Sequence, residues 1–180
     1  MGNGGGKVLL DDVFGAAFPP GRIGWHEALS FPESRQKLND KTAILLLNYM
    51  RTAISGLSLP AFNHNTLIIL WLMDEDGDIW FAMEEALNLE TGRSEFPAPR
   101  AVPLASTHRK LGHPSLLENS AKHARIGGEI VYDPLFGEKG WVLSNSSGRY
   151  GTSPDRRKEH LDNVAARFGN YGLVFDVYYI

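Results

Sequence analysis

Apolar and polar positions along the chain resolve into short strands joined by polar turns, with a few helices between them. Thr66–Met73 and Ile79–Met83 are rich in β-branched and aromatic residues and flank Asp74-Glu75-Asp76-Gly77-Asp78. Asp76-Gly77 suits the centre of a type I′ turn, where both central residues take positive φ, so the unit reads as a β-hairpin. The acidic run does not fit a calcium loop. With Asp74, Asp76 and Gly77 at loop positions 3, 5 and 6, position 1 is Leu72 and position 12 is Met83. A second hairpin runs from Glu129–Asp133 through residues 134–140 to Trp141–Ser144, and Leu173–Ile180 closes the chain as an apolar, aromatic strand.

Residues 31–55 read as helical, because Leu38, Leu45, Leu46, Tyr49, Met50, Ala53 and Ile54 recur at helical spacing. Ser30 supplies a cap, Pro32 and Glu33 suit a first turn, Gly56 supplies a stop, and Asn39-Asp40 is a point of division into two helices. Ser153-Pro154-Asp155 opens a helix over 154–168, with Leu161, Val164, Ala165 and Phe168 on its buried face. Asn88–Lys110 holds Pro97, Pro99 and Pro103 without a sustained period and reads as a loop. Residues 1–24 read as a flexible Gly/Pro-rich leader with one strand, Lys7–Phe14, and residues 25–180 as a single domain. Strand pairs without regular βαβ alternation predict an α+β fold. Its sheet is mostly antiparallel, built from the two hairpins and the C-terminal strand, with two or three helices packed on it.

Composition narrows the function classes. The chain has 180 residues, 43% hydrophobic and 22% charged, which fits one soluble globular domain and excludes a disordered chain or a coiled coil. A net charge of −3 provides no field that draws it to nucleic acid or an anionic membrane. There is no cysteine, which removes disulfides, thiolate metal sites and Cys nucleophiles. The apolar stretches Ala43–Leu47 and Leu67–Met73 fall short of the ~20 residues a membrane-spanning helix needs. Val8-Leu9-Leu10 runs straight into Asp11-Asp12, so no signal-peptide core forms. The expectation is a soluble protein, cytoplasmic or delivered by a dedicated secretion system. Gly2 lacks the Ser or Thr that myristoylation wants at the sixth position, where Gly6 stands.

Familiar catalytic signatures are missing. The six histidines include no zincin pair, so no metal is expected, and neither a G-x-S-x-G elbow nor a phosphate-binding P-loop occurs. What remains is a polar block: Gly112-His113-Pro114-Ser115-Leu116-Leu117, then Gly127-Gly128-Glu129, then Ser144-Asn145-Ser146-Ser147-Gly148-Arg149-Tyr150. Two accounts of it stand side by side. In the first these are turn residues: Gly127-Gly128 permit a bulge, Ser144–Ser147 bond their own backbone, and His113 before Pro114 is an extended residue with one hydrogen bond. In the second, His113, Glu129 and Tyr150 are reacting groups around a cleft in which Ser115, Ser147 and Arg149 bind substrate. Arg149 then seats a phosphate of NAD or another nucleotide, since its planar fork matches phosphate oxygens. Glu129 or His113 serves as base or stabilises a cationic transition state.

The block resembles a domain found at the C-termini of bacterial toxins and effectors and in plant IQ-motif calmodulin-binding proteins, with the pattern H-S-S-[FL]-L-A-G, A-G-E, then S-G-H-Y. The match spans roughly residues 66–180, with Leu70-Trp71-Leu72 on the strand pair ahead of the His motif. Departures are specific: Glu118-Asn119 replaces A-G, Arg149 stands where the family has His, and no IQ motif occurs. An acid/base role for that His and calmodulin binding therefore do not carry over. The resemblance implies a toxin or secreted-effector domain, which with the Arg/Ser/Tyr cluster points to a nucleotide- or NAD-using transferase of ADP-ribosyltransferase type. A protein target or a cognate partner protein is its expected counterpart. The alternative is a non-catalytic recognition module, such as an immunity protein, chaperone or adaptor. Its basis is the aromatic supply of Trp71, Trp80, Trp141, Tyr171, Tyr178 and Tyr179, which exceeds what one sheet face buries.

Overall fold

Every position of Ile68–Asp74 is buried. A strand buried on both sides needs an apolar layer on each, and the rest of the chain supplies two. The computed structural model describes residues 4–55, 64–95, 98–100 and 102–180. Six strands form the main sheet: β1 (Gln36–Lys37), β2 (Ile68–Asp74), β3 (Ile79–Met83), β7 (Ala124–Tyr132), β8 (Trp141–Ser144) and β9 (Asp176–Tyr178). Their order is β1-β3-β2-β7-β8-β9, antiparallel except for β8 with β9. A second sheet, ordered β5-β4-β6, is made of β4 (Glu85–Asn88), β5 (Ser94–Glu95) and β6 (His108–Leu111).

Ile69, Trp71 and Met73 of β2 join one core with Leu46 and Met50 of helix α3 (Asp40–Ile54) and Leu161, Val164 and Phe168 of helix α4 (Lys158–Gly169). Ile68, Leu70 and Leu72 meet Leu116, Leu117 and Tyr150 on the opposite face. The fold is α+β, as the hairpin pattern predicts. Both predicted hairpins form, and Glu129 pairs with Ser144. The first turn is not type I′, because of its two central residues only Gly77 has positive φ, at 85°. The Asp74 carboxylate organises it instead, accepting from the Asp76 and Asp78 N–H groups at 3.0 and 2.9 Å and from the Trp80 indole at 2.8 Å.

Five predicted elements differ. Residues 4–14 are a helix, α1, rather than a strand over Lys7–Phe14. Leu10, Val13 and Phe14 lie three and four residues apart and pack one face against the core that includes α4. The expected leader therefore enters the packed structure from about Leu10 on, and Phe18 forms a bridge with Ala124. Helix α3 begins at Asn39, whose side chain accepts from Lys41 and Thr42, not at Ser30. The backbone N–H groups of Glu33 and Ser34 go to the buried carboxylate of Glu85 at 2.8 and 2.9 Å, and Gln36–Lys37 pair with β3, so residues 31–39 cannot be helical. Ser30 closes a one-and-a-half-turn helix, α2 (Trp25–Leu29).

The predicted loop over 88–110 contains β5 and β6 and ends β4; strands of two to four residues are too short to show a period. Helix α4 starts at Lys158 because Ser153–Arg156 close a turn and the Arg156 guanidinium is held by the Phe14 carbonyl at 2.9 Å. The closing strand shortens to β9 and runs parallel to β8, with α4 as the crossover that parallel pairing requires. Gly2, Gly56 and Pro97, named as sequence signals, lie outside the described residues. Among the described residues no helix is long and apolar enough to cross a membrane.

Strand β7 slips register against β2 between Met73 and Asp74, leaving Arg125 as the extra residue of a bulge. Its side chain is fully buried and bonds the Asp11 carboxylate, the Gly15 carbonyl at 2.8 Å and the Glu75 carbonyl at 2.9 Å. It thus ties α1 to the β2–β3 turn. Arg125→Met strands the buried Gly15 carbonyl and the half-buried Glu75 carbonyl and is expected to cost about 2–4 kcal/mol. Asp11→Asn, at a half-exposed carboxylate, is expected to cost under about 1 kcal/mol. Urea unfolding of the two variants beside the wild type measures both.

Candidate functional site

On the sheet face away from α3 and α4, His113, Glu129, Ser147 and Arg149 line one cleft of about 340 Å³ together with Glu27 and Glu84. The geometry begins with two glycines. Gly127 and Gly128 lie opposite Leu72 and Trp71, where the segment after β8 turns across β7. A Cβ on Gly128 would meet the Ser144 carbonyl oxygen at 1.8 Å and Asn145 Cα at 2.8 Å; one on Gly127 would meet Tyr150 Cβ at 3.3 Å. Only glycine admits this approach. The result places Ser146–Arg149 beside the Glu129 end of the strand.

His113 stands at the start of a short 3-10 helix, His113–Leu116, and is 7% exposed. Its Nε2 lies 2.8 Å from the Gly128 carbonyl oxygen. A carbonyl only accepts, so Nε2 carries the proton and Nδ1 is left with its lone pair. Burial, reinforced by the Arg149 charge, pushes the imidazole pKa down to about 4, so the ring is neutral near pH 7. Nδ1 has no protein partner among the described residues, and His113 borders the cleft. A neutral imidazole with an open lone pair accepts a proton or a hydroxyl hydrogen bond.

Arg149 reaches the cleft because Glu27 holds it there. The Glu27 carboxylate is 1% exposed and accepts from Arg149 Nη1 at 2.7 Å, Gly112 N at 3.2 Å and Gly24 N at 2.8 Å. These bonds hold a buried anion in place and leave the rest of the guanidinium fork open. Glu129 is paired with Arg100 Nη2 at 2.5 Å, its side chain 18% exposed. Burial raises its pKa, opposed by Arg100 and by a hydrogen bond from Ser146. A second recess of about 380 Å³ shares His113, Gly148 and Arg149 and adds Gly21 and Arg22.

The structure brings four of the six predicted site residues together and leaves two out. Tyr150, predicted as a reacting group, is fully buried, and its hydroxyl donates to the Lys122 carbonyl at 2.7 Å. Its side chain fills the core under β2, where desolvation raises its pKa further. Ser115, predicted to bind substrate, is also fully buried and donates to the Gly112 carbonyl at 2.6 Å, closing its own 3-10 turn. The turn account holds for two further groups: the Ser147 hydroxyl accepts from Tyr150 N at 3.2 Å and Arg149 N at 3.4 Å, and the Ser144 hydroxyl accepts from Ser146 N at 3.4 Å. Glu27, Glu84 and Arg22 escaped the sequence reading. Glu27 sits in a five-residue helix with no motif around it, and its partners lie 85 and 122 residues away. Among the described residues no group of three or more His, Asp or Glu side chains gathers at metal-binding geometry.

Gly128→Ala forces a backbone clash and is expected to cost about 3 kcal/mol or more, or to prevent folding. Gly148→Ala meets nothing within 4 Å and is expected to stay within about 0.5 kcal/mol of wild type, although both glycines belong to the predicted motif. Thermal and urea unfolding compare the pair. His113 also predicts a pH dependence. The folded chain protonates it only near pH 4, whereas the unfolded chain does so near 6.5, so between these values the unfolded state binds more protons. Stability therefore rises with pH across that window and falls, by about 3 kcal/mol, as pH drops through it. His160, whose pKa is also lowered, adds the same sign. His113→Gln is expected to flatten this slope in urea titrations at pH 4.5 and 7 without abolishing it.

Comparison with known proteins returns no match for this chain, whether with family models, curated proteins or solved structures.

Proposed function

We propose that the cleft binds a nucleotide such as NAD and that the protein is a transferase of the toxin or secreted-effector type, acting on a protein target. The observation that carries this reading is the meeting of His113, Glu129 and Arg149 on one cleft. Glycosyl transfer from NAD needs an anion seat for the phosphates and a carboxylate near the sugar carbon, where positive charge develops. Arg149, oriented by Glu27, suits the first role, and Glu129 suits the second. In such a transfer the C–N bond to nicotinamide breaks with its electron pair leaving on nicotinamide. The acceptor nucleophile bonds to the sugar carbon, and its proton passes to Glu129, whose raised pKa favours taking it. The toxin context rests on the order and spacing of the three polar motifs.

The recognition-module alternative draws on a different surface from the one composition indicated. Of the aromatics named for it, Trp71 and Trp141 are core residues and Tyr178 is exposed, whereas Ile23, Trp25, Leu29 and Phe31 are exposed on and around α2 beside the cleft. A partner docked there would cover the cleft rather than be modified at it.

Calorimetry with NAD and expression in bacterial and yeast cells test the proposal. Wild type is expected to bind NAD and slow growth, while Arg149→Ala weakens binding about tenfold or more and Glu129→Ala restores growth with binding largely kept. Equal growth of all three, without NAD binding, overturns it.

A further inference from the structure

The recess beside the Glu129 cleft lacks that cleft's carboxylates. It is lined by Gly21, Arg22, His113, Gly148 and Arg149, with no carboxylate on its wall. Arg22 is exposed and makes no ion pair among the described residues. Arg149 commits only Nη1 to Glu27. The Gly148 backbone N–H has no acceptor among the described residues, and Gly148 carries no side chain to narrow the recess. Two guanidinium groups around one hollow match a phosphate, whose oxygens only accept while it is fully ionised.

His113 adds a second, different requirement. Its Nε2 proton is spent on the Gly128 carbonyl, so the atom it offers is the Nδ1 lone pair. A lone pair repels a phosphate oxygen and takes a hydroxyl hydrogen. The occupant must therefore carry an anion and, next to it, a hydroxyl donor. A sugar phosphate has both within one residue.

Resting on the nucleotide reading above and deepening it, we propose that the Arg22–Arg149–His113 recess is a ribose-phosphate subsite. The two arginines hold the phosphate, and His113 Nδ1 accepts from a ribose hydroxyl. Recognition at this point reads the sugar phosphate and not the base, so free ribose 5-phosphate and the ribose-phosphate end of a nucleotide compete for it.

Calorimetry on the full chain with ADP-ribose, ribose 5-phosphate and inorganic phosphate tests the subsite. Ribose 5-phosphate is expected to bind, to compete with ADP-ribose, and to bind more tightly than inorganic phosphate. Arg22→Ala is expected to weaken ADP-ribose and ribose 5-phosphate alike by about tenfold, with an unchanged melting temperature because Arg22 is exposed and unpaired. His113→Gln is expected to erase the advantage of ribose 5-phosphate over inorganic phosphate. NAD binding that is indifferent to Arg22→Ala, with no binding of ribose 5-phosphate, overturns the subsite and leaves the transferase reading standing. Binding of ribose 5-phosphate that depends on Arg22 and His113, in a chain that does not consume NAD, supports the subsite and removes the transferase reading instead.

Discussion

The close passage of the Ser144–Gly151 segment over strand β7 is the constraint on which the cleft depends. It requires backbone against backbone at Gly128, where a single methyl group would overlap the Ser144 carbonyl. The Trp71 indole, directly opposite Gly128, donates to that same carbonyl at 3.1 Å and covers the crossing from the core side. Gly151 repeats the device, since a Cβ there would lie 1.8 Å from the Asn145 carbonyl oxygen. Asn145 then ties the crossing to the chain end, accepting from the Ile180 N–H at 2.8 Å. With the segment pinned at both ends, Ser147 and Arg149 face His113 and Glu129 across the groove between them.

Three buried charges extend that arrangement outward. Glu27, Glu85 and Arg125 are each almost fully buried, and each has backbone partners in addition to any counter-ion. This is how a buried ion becomes affordable in desolvation terms: several oriented dipoles replace its hydration. Glu85 holds residues 33 and 34 against the small sheet, Arg125 holds α1, and Glu27 aims Arg149. The last leaves part of the Arg149 guanidinium open on the wall of the cleft.

The sequence made the parts with regular periods legible. Alternation and turn residues located both hairpins, and counting back from a turn over 134–140 pairs Glu129 with residue 145, one position beyond the Ser144 it faces. Alpha-helical periods located α3 and α4, but their starts shifted because distant groups claimed the first N–H donors or side chains: Glu85 at residues 33 and 34, Phe14 at Arg156. Helix α1 hid behind its glycines, and the small sheet hid in strands of two to four residues. In the site, His113, Glu129, Ser147 and Arg149 were visible as polar types clustered within forty residues. Tyr150 and Ser115 looked the same in sequence, yet each spends its hydroxyl on a backbone carbonyl inside the core. Glu27 and Arg22 were invisible, because they line the cleft and its neighbouring recess from a segment far from the polar block in sequence.

The hydrogen bond from His113 Nε2 to the Gly128 carbonyl joins the crossing to the site, so the protonation state of that imidazole reports on both. Nitrogen-15 NMR of the His113 ring across pH 4–8 reads it directly. The account predicts a neutral ring down to about pH 4, protonated at Nε2 with Nδ1 bare, as burial against the Gly128 carbonyl requires. A ring that titrates near pH 6.5, or that carries its neutral-form proton on Nδ1, would contradict the crossing, and the geometry of the cleft with it.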